Sequence, residues 1–87
     1  MSEDILSEKG VAEILITLLE NPGINQTQLE EKSGLSNWKV LKLVPRLKDN
    51  GLISERRGEY NRKLLTLTER GEEVARALKK AKDALKG

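Results

Sequence analysis

Lysine and arginine side chains are concentrated in the middle of the chain, and their type and spacing point to a chemical role. Residues 36–63 hold 8 Lys/Arg against 3 Asp/Glu, a net charge of +5, whereas residues 1–35 hold 2 against 7, a net charge of −5. The chain as a whole carries only +2, so a nearly neutral total conceals a strong separation of charge. Clustered Lys and Arg neutralise phosphate groups, and this pattern therefore predicts a surface that faces a polyanion.

The chain has few residues suited to catalysis, redox chemistry or metal binding. The chain has no Cys and no His, which excludes disulfides, thiol redox chemistry, ordinary zinc sites and His-based acid–base catalysis. Its acidic pairs, Glu30-Glu31 and Glu72-Glu73, are adjacent on predicted helices, so the two carboxylates of each pair point apart. No Gly-rich phosphate-binding loop is present. We expect no enzymatic activity, no cofactor and no metal site.

Length and hydropathy favour one small domain spanning 1–87 in the cytoplasm. The longest apolar stretch, 11–19, contains Glu13 and is far too short to cross a bilayer. The amino terminus, Met-Ser-Glu-Asp, lacks the basic start of a signal peptide. We expect no membrane partner.

Local capping signals divide the chain into elements. Ser7 is a plausible cap for a first helix, and Asn25 with Gln28 forms an amide version of a capping box. The predicted elements are helices to about Glu20, over 26–33 and over 37–50, strands from Leu52 and from Leu64, and a last helix from Thr68 to about Leu85.

Two sequence runs resemble winged helix-turn-helix transcription regulators. They are QTQLEEKSGLSNWKV, beginning at Gln26, and LKDNGLI, beginning at Leu47. The segment from Arg62 to Gly71, with LTLTERG, is similar to the second wing strand and its exit in MarR- and PadR-like proteins and small archaeal regulators. The resemblance covers about residues 11–78. It implies a mainly α fold with a small β-hairpin (α+β), in the order α-α-α-β-β-α.

The helix over 37–50 is the recognition helix that this resemblance implies. At about 100° per residue, its apolar residues Val40, Leu43, Val44 and Leu47 share one face, which predicts packing on the first two helices. The opposite side would enter the DNA major groove. By position, the residues facing bases would be Asn37, Trp38, Lys39, Leu41 and Lys42, with Arg46 nearer phosphates. The alternative is that these cations merely solubilise an exposed helix.

Three residues on this helix depart from a polar base-reading surface. Trp38 and Leu41 make few hydrogen bonds, although a Trp can pack on sugar or on a thymine methyl group. Pro45 removes a helical hydrogen bond to the Leu41 carbonyl, so we expect a bend near 41–45. The patch of Trp38, Leu41 and Pro45 could instead dock a protein or lie beneath a second subunit.

The predicted hairpin has a strongly cationic tip. A tip of this kind can lie along the DNA backbone or place an arginine in the minor groove. The alternative is a solvated edge hairpin, protected by charge against pairing with other sheets. The candidate DNA-contacting residues of this wing, 56–63, are Arg56, Arg57, Tyr60, Arg62 and Lys63.

The last helix, about 69–86, is predicted to form a homodimer. Val74, Leu78, Ala81 and Leu85 recur at the spacing of a short coiled-coil seam. The alternative is that this helix packs only on its own domain.

Together these features predict a DNA-binding transcription regulator, nucleoid-associated in the cytoplasm, with double-stranded DNA and a second copy of itself as partners. Two other functions remain open. One is a winged-helix module for protein–protein interaction in a transcription or chromatin assembly, and the other is a sequence-neutral chromosomal architectural protein. Nothing in the sequence marks a pocket for a small-molecule effector.

Overall fold

The computed structural model describes residues 8–86. Four α-helices and one antiparallel hairpin follow each other in the predicted order α-α-α-β-β-α, which confirms the fold class. A short 3₁₀ turn, Glu59–Asn61, lies at the hairpin tip. The elements are α1 (Val11–Glu20), α2 (Gln26–Ser33), α3 (Asn37–Asp49), β1 (Ile53–Arg57), β2 (Lys63–Leu67) and α4 (Glu69–Lys86).

Local side-chain bonds set the starts of α2 and α3. Asn25 and Gln28 form the predicted reciprocal capping box: the Asn25 carboxamide oxygen accepts from the Gln28 amide at 2.8 Å, and the Gln28 side chain accepts from the Asn25 amide at 3.1 Å. Gly34 ends α2 with a φ of 76°. The Ser36 hydroxyl then accepts from the Lys39 amide at 3.2 Å and caps α3. These starts confirm the sequence-based boundaries.

The first helix begins later than predicted. Ser7, its expected cap, lies outside the described residues, and α1 starts at Val11. Gly10 interrupts any earlier helix because its φ is 100°, a left-handed conformation. A Cβ at Gly10 would lie 3.2 Å from the Cδ1 of Leu43, so the chain here passes directly against α3.

The hairpin is extended by a third segment, which pairs with the edge of β2 opposite to β1. β1 and β2 are antiparallel, with Ile53 opposite Leu67 and Arg57 opposite Lys63. Ile24, just before α2, pairs with Leu65, whose amide donates to the Ile24 carbonyl at 2.7 Å. The hairpin is therefore joined by backbone bonds to the segment that precedes the two-helix unit.

One aliphatic core holds the elements together. The face predicted for α3, which comprises Val40, Leu43, Val44 and Leu47, is buried in it. α4 approaches the strand side closely, since a Cβ at Gly71 would lie 2.0 Å from the Leu52 carbonyl oxygen. The other buried apolar residues are Val11, Ile14, Leu15, Leu18, Ile24, Leu29, Leu52, Ile53, Leu65, Leu67 and Ala75.

Pro45 lies inside a continuous α3. The helix does not end and restart there, and the expected bend near 41–45 stays a prediction. Pro45 is exposed, so the carbonyl that loses its helical donor is close to solvent.

The last helix divides into two halves. The Thr68 hydroxyl accepts from the Gly71 amide at 3.0 Å and caps α4 as predicted. Val74 and Leu78 are half-buried against the domain core, whereas Ala81 is exposed and Leu85 is 88% exposed. The first half thus packs on its own domain, and the dimer interface of Val74, Leu78, Ala81 and Leu85 stays a prediction. Within residues 8–86, no helix is long and apolar enough to cross a lipid bilayer.

Candidate nucleic-acid interface

The outer face of α3 carries an exposed apolar stripe, formed by Trp38, Leu41 and Pro45. Trp38 is 69% exposed and Leu41 is 53% exposed. The Lys42 Nζ lies 5.3 Å from the centroid of the Trp38 ring, a cation–π distance that keeps a positive charge beside the indole. These adjacent exposed apolar side chains make the outer face of α3 a candidate contact site.

One edge of this stripe is lined by a cluster of cations that we call the helix cluster: Lys39, Lys42 and Arg46. Arg46 Nη1 donates to the Glu8 carboxylate at 2.9 Å. This hydrogen bond lowers the pKa of Glu8 despite partial desolvation, and the charges of Arg46, Lys42 and Lys39 lower it further. Three cations therefore share one nearby carboxylate, which leaves the cluster with excess positive charge.

A second group, the wing cluster, comprises Lys48, Arg57 and Lys63. Lys48 Nζ donates to the Glu55 carboxylate at 2.6 Å and links the end of α3 to β1. This bond lowers the pKa of Glu55 against some desolvation, with further lowering by the charges of Lys48, Lys63 and Arg57. Arg57 and Lys63 are opposite each other across the hairpin. As in the helix cluster, three cations lie around a single carboxylate, here that of Glu55.

The apolar stripe lies between the two clusters on the surface of α3. At about 100° per residue, Lys39 and Arg46 flank the stripe on one side and Lys48 flanks it on the other. The resulting surface is cationic at both edges and apolar along most of its middle, with the exposed Asp49 at the carboxyl-terminal end. A DNA major groove, with phosphates on both rims and base edges on its floor, has the complementary arrangement.

The wing residues predicted to contact DNA fall on two faces of the hairpin. Successive strand side chains alternate, so Arg57 lies on the face of Glu55, and Arg56 lies on the other face. The Arg56 guanidinium reaches to within 3.4 Å of the position of a Cβ at Gly23, before α2. Arg62, Tyr60, Glu59 and Leu64 line a shallow depression of about 370 Å³.

The hairpin tip has an unusual backbone. Tyr60 and Asn61 have φ angles of 59° and 61°, both in the left-handed region. The Gly58 amide donates to the Arg62 carbonyl at 2.8 Å, and Arg57 Nη1 donates to the Asn61 carbonyl at 3.3 Å. These bonds hold the Tyr60 side chain outward, where it is 90% exposed.

Asn37, the polar residue at the start of α3, is oriented by α2. Its Nδ2 donates to the Glu30 carboxylate at 2.7 Å, and the same carboxylate oxygen accepts from Gln26 Nε2 at 3.1 Å. The Asn37 side-chain oxygen stays available as a hydrogen-bond acceptor. The bond to Glu30 uses one of the two Nδ2 protons of Asn37 and fixes the orientation of its carboxamide.

Sequence reasoning predicted Arg57 but missed four residues of this surface: Glu8, Glu30, Lys48 and Glu55. Glu55 and Arg57 are two apart in a strand, which was a usable signal for a shared face. Lys48 and Glu30 had no distinguishing pattern, and Glu8 is 38 residues from Arg46. Within residues 8–86, no group of three or more acidic side chains is placed to hold a metal ion.

A family model described as winged helix-turn-helix DNA-binding matches residues 13–54, from within α1 to the start of β1. The PcaV transcriptional regulator of Streptomyces coelicolor is 33% identical, over 77% of this chain and 49% of that chain, with a TM-score of 0.71. A predicted DNA-binding transcriptional regulator from E. coli is 26% identical, over 90% and 82%, with a TM-score of 0.76. A MarR-family transcription regulator is 24% identical, over 95% and 58%, with a TM-score of 0.82, and shows the common fold.

No significant match was found among curated proteins. The chain spans between 49% and 59% of the length of several of the solved regulators that it resembles. The matched family model, the element order and these structural neighbours show that the chain has a winged helix-turn-helix fold, similar to that of MarR-family transcription regulators.

Proposed function

We propose that this chain is a DNA-binding transcription regulator that inserts α3 into the major groove and lays the wing along the backbone or minor groove. One observation carries the proposal. The helix cluster and the wing cluster place six cations on the two sides of the outer face of α3, and each cluster has only one ion-paired carboxylate. A duplex supplies phosphates at the matching two rims.

The two ion pairs do not prevent this binding. Arg46 and Lys48 are both partly exposed, and surface pairs of this kind contribute little to stability. Each cation can therefore exchange its carboxylate for a phosphate at small cost. Lys39, Lys42 and Lys63 have no ion-pair partner among the described residues and are available directly.

We also propose that the protein acts as a homodimer through α4 and is associated with the nucleoid. The exposed Ala81 and Leu85 continue the seam that Val74 and Leu78 begin. A two-fold dimer would place its two recognition helices about 34 Å apart, one turn of duplex, and would bind a pseudo-palindrome. Sedimentation of the intact chain tests the oligomeric state.

Selection of bound duplexes from a random pool, at two salt concentrations, tests the main proposal. If about 4–5 cations per subunit contact phosphate, the log–log salt dependence of a dimer should have a slope of about −7 to −9. Enrichment of one motif with paired half-sites supports a sequence-selective regulator. Equal retention of all sequences favours a neutral architectural protein, and absence of duplex binding in low salt contradicts both.

A protein-interaction module is the second candidate, and the exposure of Trp38 and Leu41 favours it. Trp38→Ala separates the two functions. Under the DNA-binding proposal this variant loses duplex affinity, whereas under the alternative it loses a protein partner and keeps its DNA affinity.

A further inference from the structure

Phosphate binding by cations does not explain why the outer face of α3 exposes an apolar stripe. Cations account for affinity to any duplex, yet the centre of the outer face of α3 is occupied by Trp38 and Leu41, which are 69% and 53% exposed. Neither side chain can form the paired hydrogen bonds by which Arg, Asn or Gln distinguish bases. A contact with base edges at this position must therefore be largely apolar.

The major groove of unmodified DNA offers one apolar recognition group, the 5-methyl group of thymine. We propose that Trp38 and Leu41 select thymine-containing sites by packing on this methyl group, an inference that rests on the proposed DNA-binding function. Charge identifies the occupant of the stripe, because Lys39 and Arg46 flank it on one side of α3 and Lys48 flanks it on the other. A duplex presents anionic rims on both sides of a floor that carries methyl groups.

The spacing of the two residues fits adjacent base pairs. Trp38 and Leu41 are three positions apart, so they lie about 4.5 Å apart along the helix axis on neighbouring parts of one face. Successive bases of one strand are about 3.4 Å apart. The two side chains can thus contact methyl groups of one thymine or of two consecutive thymines.

The state of Asn37 strengthens this assignment. A free carboxamide recognises adenine by donating one hydrogen bond and accepting another. In this structure one of the two Nδ2 protons of Asn37 is donated to Glu30 at 2.7 Å, so Glu30 fixes the orientation of the carboxamide. A bidentate contact with adenine must therefore form in that orientation or break the bond to Glu30, which leaves the methyl contact as the main source of selectivity in this half of α3.

Replacement of thymine by deoxyuridine tests the inference, because it removes only the methyl group. The probe is a duplex selected from the random pool, compared with the same duplex carrying deoxyuridine at each thymine in turn. We expect affinity to fall about fourfold for each contacted methyl group. In Leu41→Ala and Trp38→Ala, the thymine duplex should bind more weakly and the thymine–deoxyuridine difference should shrink toward one.

Arg62→Ala is the matched control, since Arg62 lies at the wing, away from the stripe. It should weaken both duplexes to the same extent and keep the difference between them. Trp38 is the only tryptophan of the chain, so its fluorescence reports the contact directly. Thymine duplex should protect it from acrylamide quenching.

The outcomes separate this inference from the proposed function. Selective duplex binding with no deoxyuridine effect overturns the methyl contact and leaves DNA binding intact. Unchanged duplex affinity in Trp38→Ala and Leu41→Ala, with circular dichroism showing a native fold, also overturns it. Absence of all duplex binding overturns both proposals.

Discussion

Two regions of this small domain use the same residue types for different purposes. Across α1 and α4, Lys79 pairs with Glu20 at 2.8 Å and Lys82 pairs with Glu13 at 3.4 Å, so each cation has its own carboxylate. In the helix and wing clusters, six cations share Glu8 and Glu55. The ratio of cations to carboxylates, rather than the number of lysines and arginines, distinguishes the two regions. It is one to one between α1 and α4 and three to one in each cluster, which leaves the clusters with a net positive charge.

The comparison also shows what holds each region in place. α4 is fixed by apolar packing and by the close approach of Gly71 to the Leu52 backbone, with ion pairs around the edge. The outer face of α3 is fixed from behind by its buried residues, and its two partly exposed ion pairs contribute little to stability. Changes on the two regions should therefore affect different measurements.

Removal of three cations from the helix and wing clusters should have the largest effect. Lys39→Ala, Lys42→Ala and Lys63→Ala together should lower duplex affinity by about 100-fold and reduce the salt slope by about 3 per subunit. The matched control is Lys79→Ala, Lys80→Ala and Lys82→Ala, the same change of charge on α4. If both triple variants lose affinity equally, net charge alone explains binding and the contrast between the regions is wrong.

Gly71→Ala should cause the next largest effect, on stability. The added Cβ would lie 2.0 Å from the Leu52 carbonyl oxygen, a backbone atom that cannot move aside without shifting the strand. We expect a loss of about 3 kcal/mol, measured by urea unfolding. Ala77→Ser, at an exposed position of the same helix, is the control and should change stability by less than about 1 kcal/mol. A stable Gly71→Ala protein would show that α4 is not anchored by this contact.

Neutralising the carboxylates of the clusters should improve DNA binding moderately. Glu8→Gln and Glu55→Gln free Arg46 and Lys48, so each change should raise duplex affinity by roughly threefold and steepen the salt slope by about 1. Glu73→Gln, an exposed carboxylate on α4, has the same change of charge and should have little effect. Weaker binding by Glu8→Gln would indicate that the pair positions Arg46 for DNA.

The smallest effect is expected in the pH dependence of stability, and its sign differs between the regions. The Glu8 and Glu55 pKa values are held below 4.5 by hydrogen bonds from Arg46 and Lys48, so both pairs stabilise the fold above that value. This contribution is lost as pH falls through the folded pKa values. Any melting-temperature difference between the wild type and the Glu8→Gln/Glu55→Gln protein should disappear in acid.

On the α1–α4 side the dependence is reversed. A hydrogen bond from Lys79 to Glu20 raises the Lys79 pKa above 10.5, so its contribution is complete below that value and is lost as pH rises through the folded pKa. Comparison of the wild type with Lys79→Met should show a difference that vanishes in alkali. If the stability difference between the wild type and Lys79→Met vanished only at acid pH, the raised pKa of Lys79 would not be its cause.

Short-range chemistry made much of this fold predictable from sequence. Asn25 with Gln28, Ser36 and Thr68 each bond to an amide three residues away, so their roles can be recognised within a single turn. The buried face of α3 follows from helical periodicity in the same way. The outer face of α3, with Trp38 and Lys42, was predictable because it must lie opposite the buried face of the same helix.

The remaining features depend on contacts between distant segments. Glu8 meets Arg46 only because Gly10 turns the chain against α3, and no local pattern encodes that meeting. The division of Arg56 and Arg57 between two faces required the strand register to be known. Likewise, whether Val74 and Leu78 pack inward or on a partner depends on how far α4 extends beyond the core.

The consecutive left-handed residues at the wing, Tyr60 and Asn61, have a consequence for the kinetics of recognition. Side chains other than glycine adopt this backbone only at some cost, and bonds from Gly58 and Arg57 maintain it here. The loop is thus preorganised and needs little ordering when it meets a ligand. Asn61→Gly would relieve backbone strain in the free protein. The loop would then be less ordered, so its association with a ligand should be slower.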